Sequence, residues 1–233
     1  MTAILVGTSG FGYNEWKGRF YPQELPDKEM LSYYASKFAT VEIDSTFYRM
    51  PAPGVLQGWA ASVPAHFRFV IKASQQITHR QRLRVPSEAL NHLNSVVGTL
   101  GDQLAFVAYQ LPPFSKCDLP RLQAFLEVLP LNMRSSFEFR HPSWFVPEVY
   151  DLLKHHGAIL CVHDTDEGCS PMETTAKTVY VRLRRTRYAP HELDEWKARW
   201  RHWAASGFDV FAYVKHKDNP DAPQIALQFA EGF

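Results

Sequence analysis

Thr40-Val-Glu-Ile-Asp-Ser-Thr-Phe-Tyr-Arg49 is the stretch of sequence that decides the fold. Val41 and Ile43 alternate with Glu42 and Asp44, which predicts a strand with one apolar face and one face that carries carboxylates. An ordinary buried strand does not carry charges in this way. In a βα barrel, one face of each strand packs under the helices, while polar groups near the carboxyl end of the other face belong to the active-site mouth. We therefore expect a barrel with Glu42 at its mouth.

The alternation of strands and helices continues on both sides of this stretch. Eight short apolar segments predict strands, and seven amphipathic segments predict helices. The predicted strands are 3–7, 40–44, 67–72, 104–110, 135–140, 158–163, 178–183 and 209–214. This order predicts an α/β protein that forms a single-domain (β/α)8 TIM barrel over residues 1–233, with an irregular connection, 164–175, between strands six and seven. An open doubly wound sheet is the alternative, but no glycine-rich dinucleotide motif follows the first strand.

The amino-acid composition limits the kinds of binding partner and the cellular compartment that we expect. The 25 basic and 24 acidic side chains give a net charge of +1, so affinity for phosphates must come from local clusters. Cys117, Cys161 and Cys169 are an odd number of cysteines without metal-ligand spacing, which favours a reducing compartment. The first residues do not have the pattern of a secretory signal, and no apolar run approaches a membrane span. We expect a soluble cytoplasmic protein that has no membrane partner.

Counting alternate residues from Glu42 predicts which side chains reach the mouth. They are Lys72, Gln110, Glu138 with Arg140 beyond it, either His163 or Asp164, then Arg182, and either Lys215 or His216. Charges removed from water are unfavourable unless they are paired or used, so chance placement is a poor explanation. One interpretation is a structural ion-pair network, for example Glu42 with Lys72 and Glu138 with Arg182. The other is a functional site in which the two glutamates exchange protons and the cations hold an anion.

Residues in the loops after the strands extend the predicted site. Tyr48 and Trp144 are aromatic residues that either stack on a ligand or pack over the end of the barrel. Thr8 and Ser9 lie in the short segment Gly7-Thr-Ser-Gly10, whose hydroxyl and backbone N–H groups suit a phosphate.

Several motifs occur together in the first 145 residues. They are Gly7-Thr-Ser-Gly-Phe11 with Trp16-Lys-Gly-Arg-Phe-Tyr-Pro22, Val41–Arg49, Phe69-Val-Ile-Lys-Ala73 with Ile77-Thr-His79, Gln110-Leu-Pro-Pro113, and Phe137-Glu-Phe-Arg-His-Pro-Ser-Trp144. In combination they resemble the DUF72 or YecE-like family of bacterial and archaeal proteins, which has no established activity. The resemblance implies a TIM barrel. It also marks characteristic positions of the family, without giving them a reaction: Glu42, Lys72, His79, Gln110, Glu138, Arg140 and Trp144.

The last third of the chain departs from the family pattern. Family members often carry a Leu-His-Gly type of segment after strand seven and a Phe-Asn-Asn type of segment after strand eight. This chain has Leu183-Arg-Arg-Thr-Arg187 and Val214-Lys-His-Lys-Asp218 at these places, whereas Asp221–Ala226 keeps the usual ending. The departure indicates a ligand different from that of a typical member.

These observations predict an enzyme, of hydrolase, lyase or isomerase type, that acts on a phosphorylated or sugar-like anionic small molecule. Its predicted catalytic residues are Glu42, Glu138 and Lys72. The predicted ligand-binding residues are Thr8, Ser9, Tyr48, His79, Gln110, Arg140, Trp144, Asp164, Arg182 and Lys215. The prediction includes no cofactor and no metal, and it does not specify an oligomeric state.

Two alternatives stay open. The first is a nucleic-acid-binding protein or a metal-dependent nuclease resembling endonuclease IV, in which Glu138, His163, Asp164 and His216 would bind divalent metal and arginine-rich loops would grip phosphates. Lys72 and Arg182 at the same mouth argue against it, since they would repel a metal cluster. The second alternative is a non-catalytic ligand-binding barrel.

Overall fold

Eight parallel strands form a closed barrel in the structure, a computed structural model that describes residues 2–215 and 220–233. The strands are β1 (Ile4–Ser9), β2 (Thr40–Ile43), β3 (Arg68–Lys72), β4 (Leu104–Gln110), β5 (Ser135–Glu138), β6 (Ile159–Thr165), β7 (Thr178–Leu183) and β8 (Asp209–Lys215). Each strand pairs with the next one along the chain, and β8 pairs with β1, which closes the barrel. The predicted fold is confirmed.

Helices surround the barrel at the predicted places. They are α1 (Met30–Ala35), α2 (Pro53–Ala61), α3 (Glu88–Val97), α4 (Leu119–Glu127), α5 (Pro147–His155), α6 (Pro190–Ala205) and α7 (Ala222–Ala230). Two of these helices begin with a side-chain N-cap. The Ser87 hydroxyl accepts a hydrogen bond from the backbone N–H of Leu90 at the start of α3, and Asp118 caps α4 in the same way. None of the helices in the described part of the chain combines the length and apolar character that a bilayer span requires.

The connection between β6 and β7 contains no helix, as its irregular sequence predicts. Gly168 and Cys169 form a two-residue antiparallel strand against the end of β6, and the chain then returns along the outside of the barrel. The hydroxyl of Thr175 donates to the carbonyl oxygen of Ala158 and accepts from the N–H of Leu160. These two bonds tie the returning segment to the start of β6.

The two faces of the strands pack into different parts of the core. Phe69 and Ile71 face the helices, whereas Val70 packs in the lumen with buried side chains such as Phe106 and Tyr180. This alternation is the one counted from Glu42 in the sequence. Large aromatic residues fill the lumen, and the polar residues at the ends of the strands lie above them, at the C-terminal mouth of the barrel.

Candidate active site at the barrel mouth

Arg182, near the end of β7, joins the two glutamates predicted to be the acid/base pair. Its Nη2 lies 2.8 Å from Oε1 of Glu42, and its Nη1 lies 2.5 Å from Oε2 of Glu138. Glu42 also accepts hydrogen bonds from the hydroxyl of Ser9, at 2.7 Å, and from the hydroxyl of Tyr180. All three charged side chains are almost completely buried. Both carboxylates therefore share one arginine beneath the mouth.

Glu138 is held by further guanidinium groups. Its Oε1 accepts from Nε of Arg140 at 3.0 Å and from Nη1 of Arg184 at 3.4 Å. Burial alone would raise the pKa of Glu138, but Arg182, Arg140 and Arg184 together hold that pKa well below its usual range. Glu138 thus stays ionised, and it lacks the near-neutral pKa that general acid/base catalysis favours.

The network is the structural ion-pair arrangement that the sequence offered as one of two interpretations, with one change of partner. Glu138 pairs with Arg182 as expected. Glu42 pairs with Arg182 too, rather than with Lys72. Among the described residues Lys72 makes no ion pair, so its amine stays available in the space above the network.

An open pocket of about 640 Å³ lies above this network. Its wall is formed by the C-terminal ends of the strands and by the loops that follow them: Tyr13, Glu15, Asp44, Ser45, Phe47, Tyr48, Lys72, His79, Gln110, Arg140, Arg182, Arg184 and Lys215. Five of these side chains are cationic and two are carboxylates. The five cations come from four strands or their ends (β3, β5, β7 and β8), so positive charge surrounds the cavity instead of covering one side.

Three pocket residues are surrounded by groups that shift their protonation. Burial, and then the nearby Arg182, lowers the pKa of Lys72 to about 8. Burial, and then Glu42, raises the pKa of Asp44. Burial, and then Lys72, lowers the pKa of His79. The Lys72 ammonium lies 4.5 Å from the centre of the Phe47 ring, and the His79 ring packs edge-on to the same phenyl group.

Four predicted ligand-binding residues do not line the pocket. Thr8 hydrogen-bonds to Tyr34 of α1 and to the carbonyl oxygen of Gly10, because its position in β1 faces the helices. Ser9 faces inward but donates to Glu42. Neither side chain therefore lines the cavity, and both hydroxyl groups are hydrogen-bonded within the protein.

Trp144 and Asp164 are the other two. Trp144 stacks on Phe139 with ring centres 4.3 Å apart, and its indole N–H donates to the carbonyl oxygen of Ser115. It packs the loop over the barrel, which was the alternative stated for it. Asp164 sits on the outer face of β6, where it accepts from Arg185 at 2.8 Å and from the indole of Trp196 at 3.2 Å. His163, on the inner face, is the residue that the strand alternation selects.

The alternative metal site is not assembled in the part of the chain that the structure describes. His163 and Asp164 are neighbours on a strand and point to opposite faces, so they cannot both join Glu138 around one ion. No group of three His, Cys, Asp or Glu side chains in residues 2–215 and 220–233 is placed to hold a metal. His216, the fourth proposed ligand, lies outside the described residues, as does most of the Val214–Asp218 segment.

Three charged residues that line the pocket, Glu15, Asp44 and Arg184, were not among the predicted site residues. Asp44 directly follows β2, and Arg184 follows Arg182 by two residues and so keeps its inward phase. Continuing the same alternation one step past the strand end would have found Arg184. The other predicted ligand-binding side chains and Lys72 do line the cavity, whereas the predicted catalytic residues Glu42 and Glu138 lie beneath it.

Fold and site together define a class of protein, a (β/α)8 barrel whose C-terminal mouth holds a cationic pocket above a buried Glu–Arg–Glu network. Over residues 5–233 the chain matches the family described as "Protein of unknown function DUF72", and it belongs to that family. The resemblance seen in the sequence motifs is thereby confirmed.

Relatives and solved structures agree with this assignment. The chain is 25% identical to the UPF0759 protein YunF of Bacillus subtilis over 98% of this chain and 94% of that protein. It is 32% identical to the UPF0759 protein YecE of Escherichia coli K12 over 49% of this chain and 43% of that protein. A crystal structure of a DUF72 family protein from Thermotoga maritima superposes with a TM-score of 0.86 at 26% identity over 98% of both chains. One from Enterococcus faecalis, at 19% identity, 98% and 94% coverage and a TM-score of 0.83, shares the fold.

Proposed function

We propose that this protein is an enzyme that binds an anionic small molecule, carrying a phosphate or a carboxylate, in the mouth pocket and transfers protons on it. Arg140, Arg184 and Lys215 are the groups that would hold the anion, and Lys72, Asp44 and His79 are the proton-transfer groups. The observation that carries the proposal is the ring of five cationic side chains around a cavity of about 640 Å³.

The charge balance of the pocket supports the proposal that it binds an anion. Arg182 is neutralised by its two glutamates, but Glu138 is shared among three guanidinium groups, so Arg140 and Arg184 are only partly compensated. Both arginines keep donors that do not bond to Glu138, since each uses a single N–H for that contact. Planar guanidinium donors suit the two oxygens of a carboxylate or a phosphate.

The pKa shifts of the pocket residues support proton transfer, but by residues other than the two glutamates predicted from the sequence. Glu42 and Glu138, the pair predicted from the sequence, are buried and occupied by Arg182, whereas Lys72 and Asp44 face the cavity. The pKa of Lys72 is lowered to about 8 and that of Asp44 is raised, so both pKa values shift toward neutral pH. Groups that titrate near the working pH make effective general acids and bases. Lys72 keeps its predicted catalytic role, and Asp44 replaces the glutamates. His79, whose pKa is lowered by burial and by Lys72, lines the cavity as an imidazole that can accept a proton.

Calorimetric titration with inorganic phosphate tests the binding half of the proposal. We expect binding that weakens with added salt, and we expect Arg140→Met combined with Arg184→Met to lower the affinity by about tenfold or more, since each charged hydrogen bond contributes roughly 1.5–3 kcal/mol. Arg80→Met combined with Arg84→Met is the matched control, because both of these arginines are exposed and lie outside the pocket lining. Equal loss in both double variants, or no binding by the parent, contradicts the proposal.

Hydrogen exchange in deuterated water tests the catalytic half. Phosphorylated sugars and small keto acids are incubated with the protein, and loss of the proton signal next to the carbonyl group is followed by NMR. We expect enzyme-dependent exchange on at least one compound, with a fall of about 10²-fold or more in Asp44→Asn, as for removal of a general acid/base. Phosphate binding without exchange or turnover on any compound would instead support the non-catalytic barrel.

A further inference from the structure

Lys72 occupies an unusual place among the cations of the pocket. It ends β3, at the point where the strand opens into the cavity, and its Nζ has no hydrogen-bond acceptor among the described residues. Its ammonium group lies over the face of Phe47, at 4.5 Å from the ring centre. A surface lysine is solvated by water, whereas this one is half-buried against an aromatic ring.

Arg182 is the charged neighbour that acts most strongly on Lys72, and it can neither lose its charge nor move away. Arg182 is fixed by bonds of 2.8 Å to Glu42 and 2.5 Å to Glu138, and all three side chains are buried. A guanidinium group stays protonated at any ordinary pH. Burial, and then this fixed guanidinium group, lowers the pKa of Lys72 to about 8, although Glu138, Glu42 and Asp44 act in the opposite direction. A desolvated lysine beside a second cation is the arrangement that activates an amine as a nucleophile.

We propose that Lys72 is the nucleophile of the site and forms a Schiff base with a substrate that carries both a carbonyl group and an anionic group. This inference rests on the proposed function, because the arginines must hold the anionic group so that the carbonyl carbon reaches Nζ. The substrate class is thereby narrowed to keto acids and to phosphorylated aldehydes or ketones.

The step balances with the groups that line the pocket. The neutral amine of Lys72 attacks the carbonyl carbon, forming a C–N bond while the carbonyl oxygen takes a proton. The nitrogen then loses a proton, the hydroxyl group takes one and leaves as water, and the nitrogen lone pair forms the C=N bond. Asp44 and His79 line the same cavity and supply and receive these protons. The product is a protonated imine and one water, with one proton taken up overall and no change in oxidation state.

Reductive trapping tests the imine directly. The protein is incubated with glyoxylate, the smallest aldehyde that carries a carboxylate, and sodium borohydride is added to reduce any C=N bond by hydride transfer. The result is a stable carboxymethyl group on the lysine nitrogen, which peptide mass mapping locates. We expect Lys72 to be labelled roughly tenfold faster than the exposed Lys37 and Lys154, and we expect inorganic phosphate to slow labelling at Lys72 alone.

Two controls keep the result interpretable. Lys72→Arg retains a positive charge but has no amine that can form the imine, so we expect it to bind phosphate and to lose the rapid label. Acetaldehyde has the carbonyl group without the carboxylate, so we expect its preference for Lys72 over Lys37 to be much smaller. A similar preference with both aldehydes would contradict the requirement for an anionic group.

Failure of this inference is distinct from failure of the proposed function. If phosphate binds and depends on Arg140 and Arg184, but Lys72 is labelled no faster than Lys37, then the Schiff base is overturned and the anion site stands. If phosphate does not bind and Lys72 is not labelled preferentially, both are overturned.

Discussion

Arg182 and Glu138 form a buried ion pair at the barrel mouth, with Nη1 of the arginine 2.5 Å from Oε2 of the glutamate. The same guanidinium group reaches Glu42 at 2.8 Å, so one cation from β7 joins carboxylates from β2 and β5. These strands are not neighbours in the sheet, and the contact therefore spans the lumen. The network closes the barrel below the pocket.

Replacing Arg182 by methionine should strongly destabilise the protein. Both glutamates would remain buried and would lose their shared partner, and breaking a buried pair in this way costs roughly 3–5 kcal/mol. The free energy of unfolding in urea measures the loss. The matched control is Arg19→Met, which removes an exposed pair with Asp221, and surface pairs contribute little to stability. Equal effects of the two substitutions would show that the network does not stabilise the barrel.

Glu138→Gln should lower stability in a pH-dependent manner. The three arginines hold the pKa of Glu138 well below its usual range in the folded state. Its stabilising charge is therefore fully present above the unfolded-state pKa of about 4.3 and is lost as the pH falls through the lower folded-state pKa. We expect the gap in urea midpoint between parent and variant to be large near pH 7 and to shrink below about pH 4. Glu127→Gln, at an exposed position of α4, should leave the midpoint nearly constant across this range.

Much of the fold was predictable because the pattern of the sequence is local. Each strand is a short run rich in β-branched or aromatic residues, as in β2 and β3. Successive side chains alternate between the face under the helices and the face in the lumen, which gives a period of two residues. The phase set at Glu42 also placed Lys72, Gln110 and Arg182 correctly, since parallel strands in a closed barrel all point their carboxyl ends to one mouth.

The pairing inside the site was not predictable in the same way. Which carboxylate meets which cation depends on side-chain reach across the lumen, and Arg182 is long enough to reach both Glu42 and Glu138. The alternation counted in the sequence also left the inward residue of β6 undecided. Asp164 and His163 are adjacent in sequence, and only the actual phase of β6 decides which one faces inward.

Gly7→Ala should destabilise the barrel, because β1 passes very close to β2 at this point. A Cβ at Gly7 would lie 2.3 Å from the carbonyl oxygen of Thr40 and 3.0 Å from the hydroxyl of Tyr34. Backbone must move to accept it, and overpacking of this kind costs roughly 1–3 kcal/mol. Gly98→Ala is the control, since that glycine has a helical backbone conformation and open space around it. We expect Gly98→Ala to be neutral or stabilising in the same unfolding experiment, and the opposite order would refute the packing argument.

Sulfate affinity should fall as the pH rises through about 8. Burial and Arg182 lower the pKa of Lys72 to about 8, so its positive charge is present below that pH and is lost above it, while the arginines stay charged. Sulfate does not itself titrate in this range, so a change in its affinity reports the protein. Calorimetry should show a loss of about tenfold between roughly pH 7 and pH 9.5, the size of one charged hydrogen bond. Lys72→Met should bind sulfate more weakly and with almost no pH dependence, whereas Lys37→Met, at an exposed site, should follow the parent. A parent profile that stays flat over this range would show that Lys72 does not contact the anion.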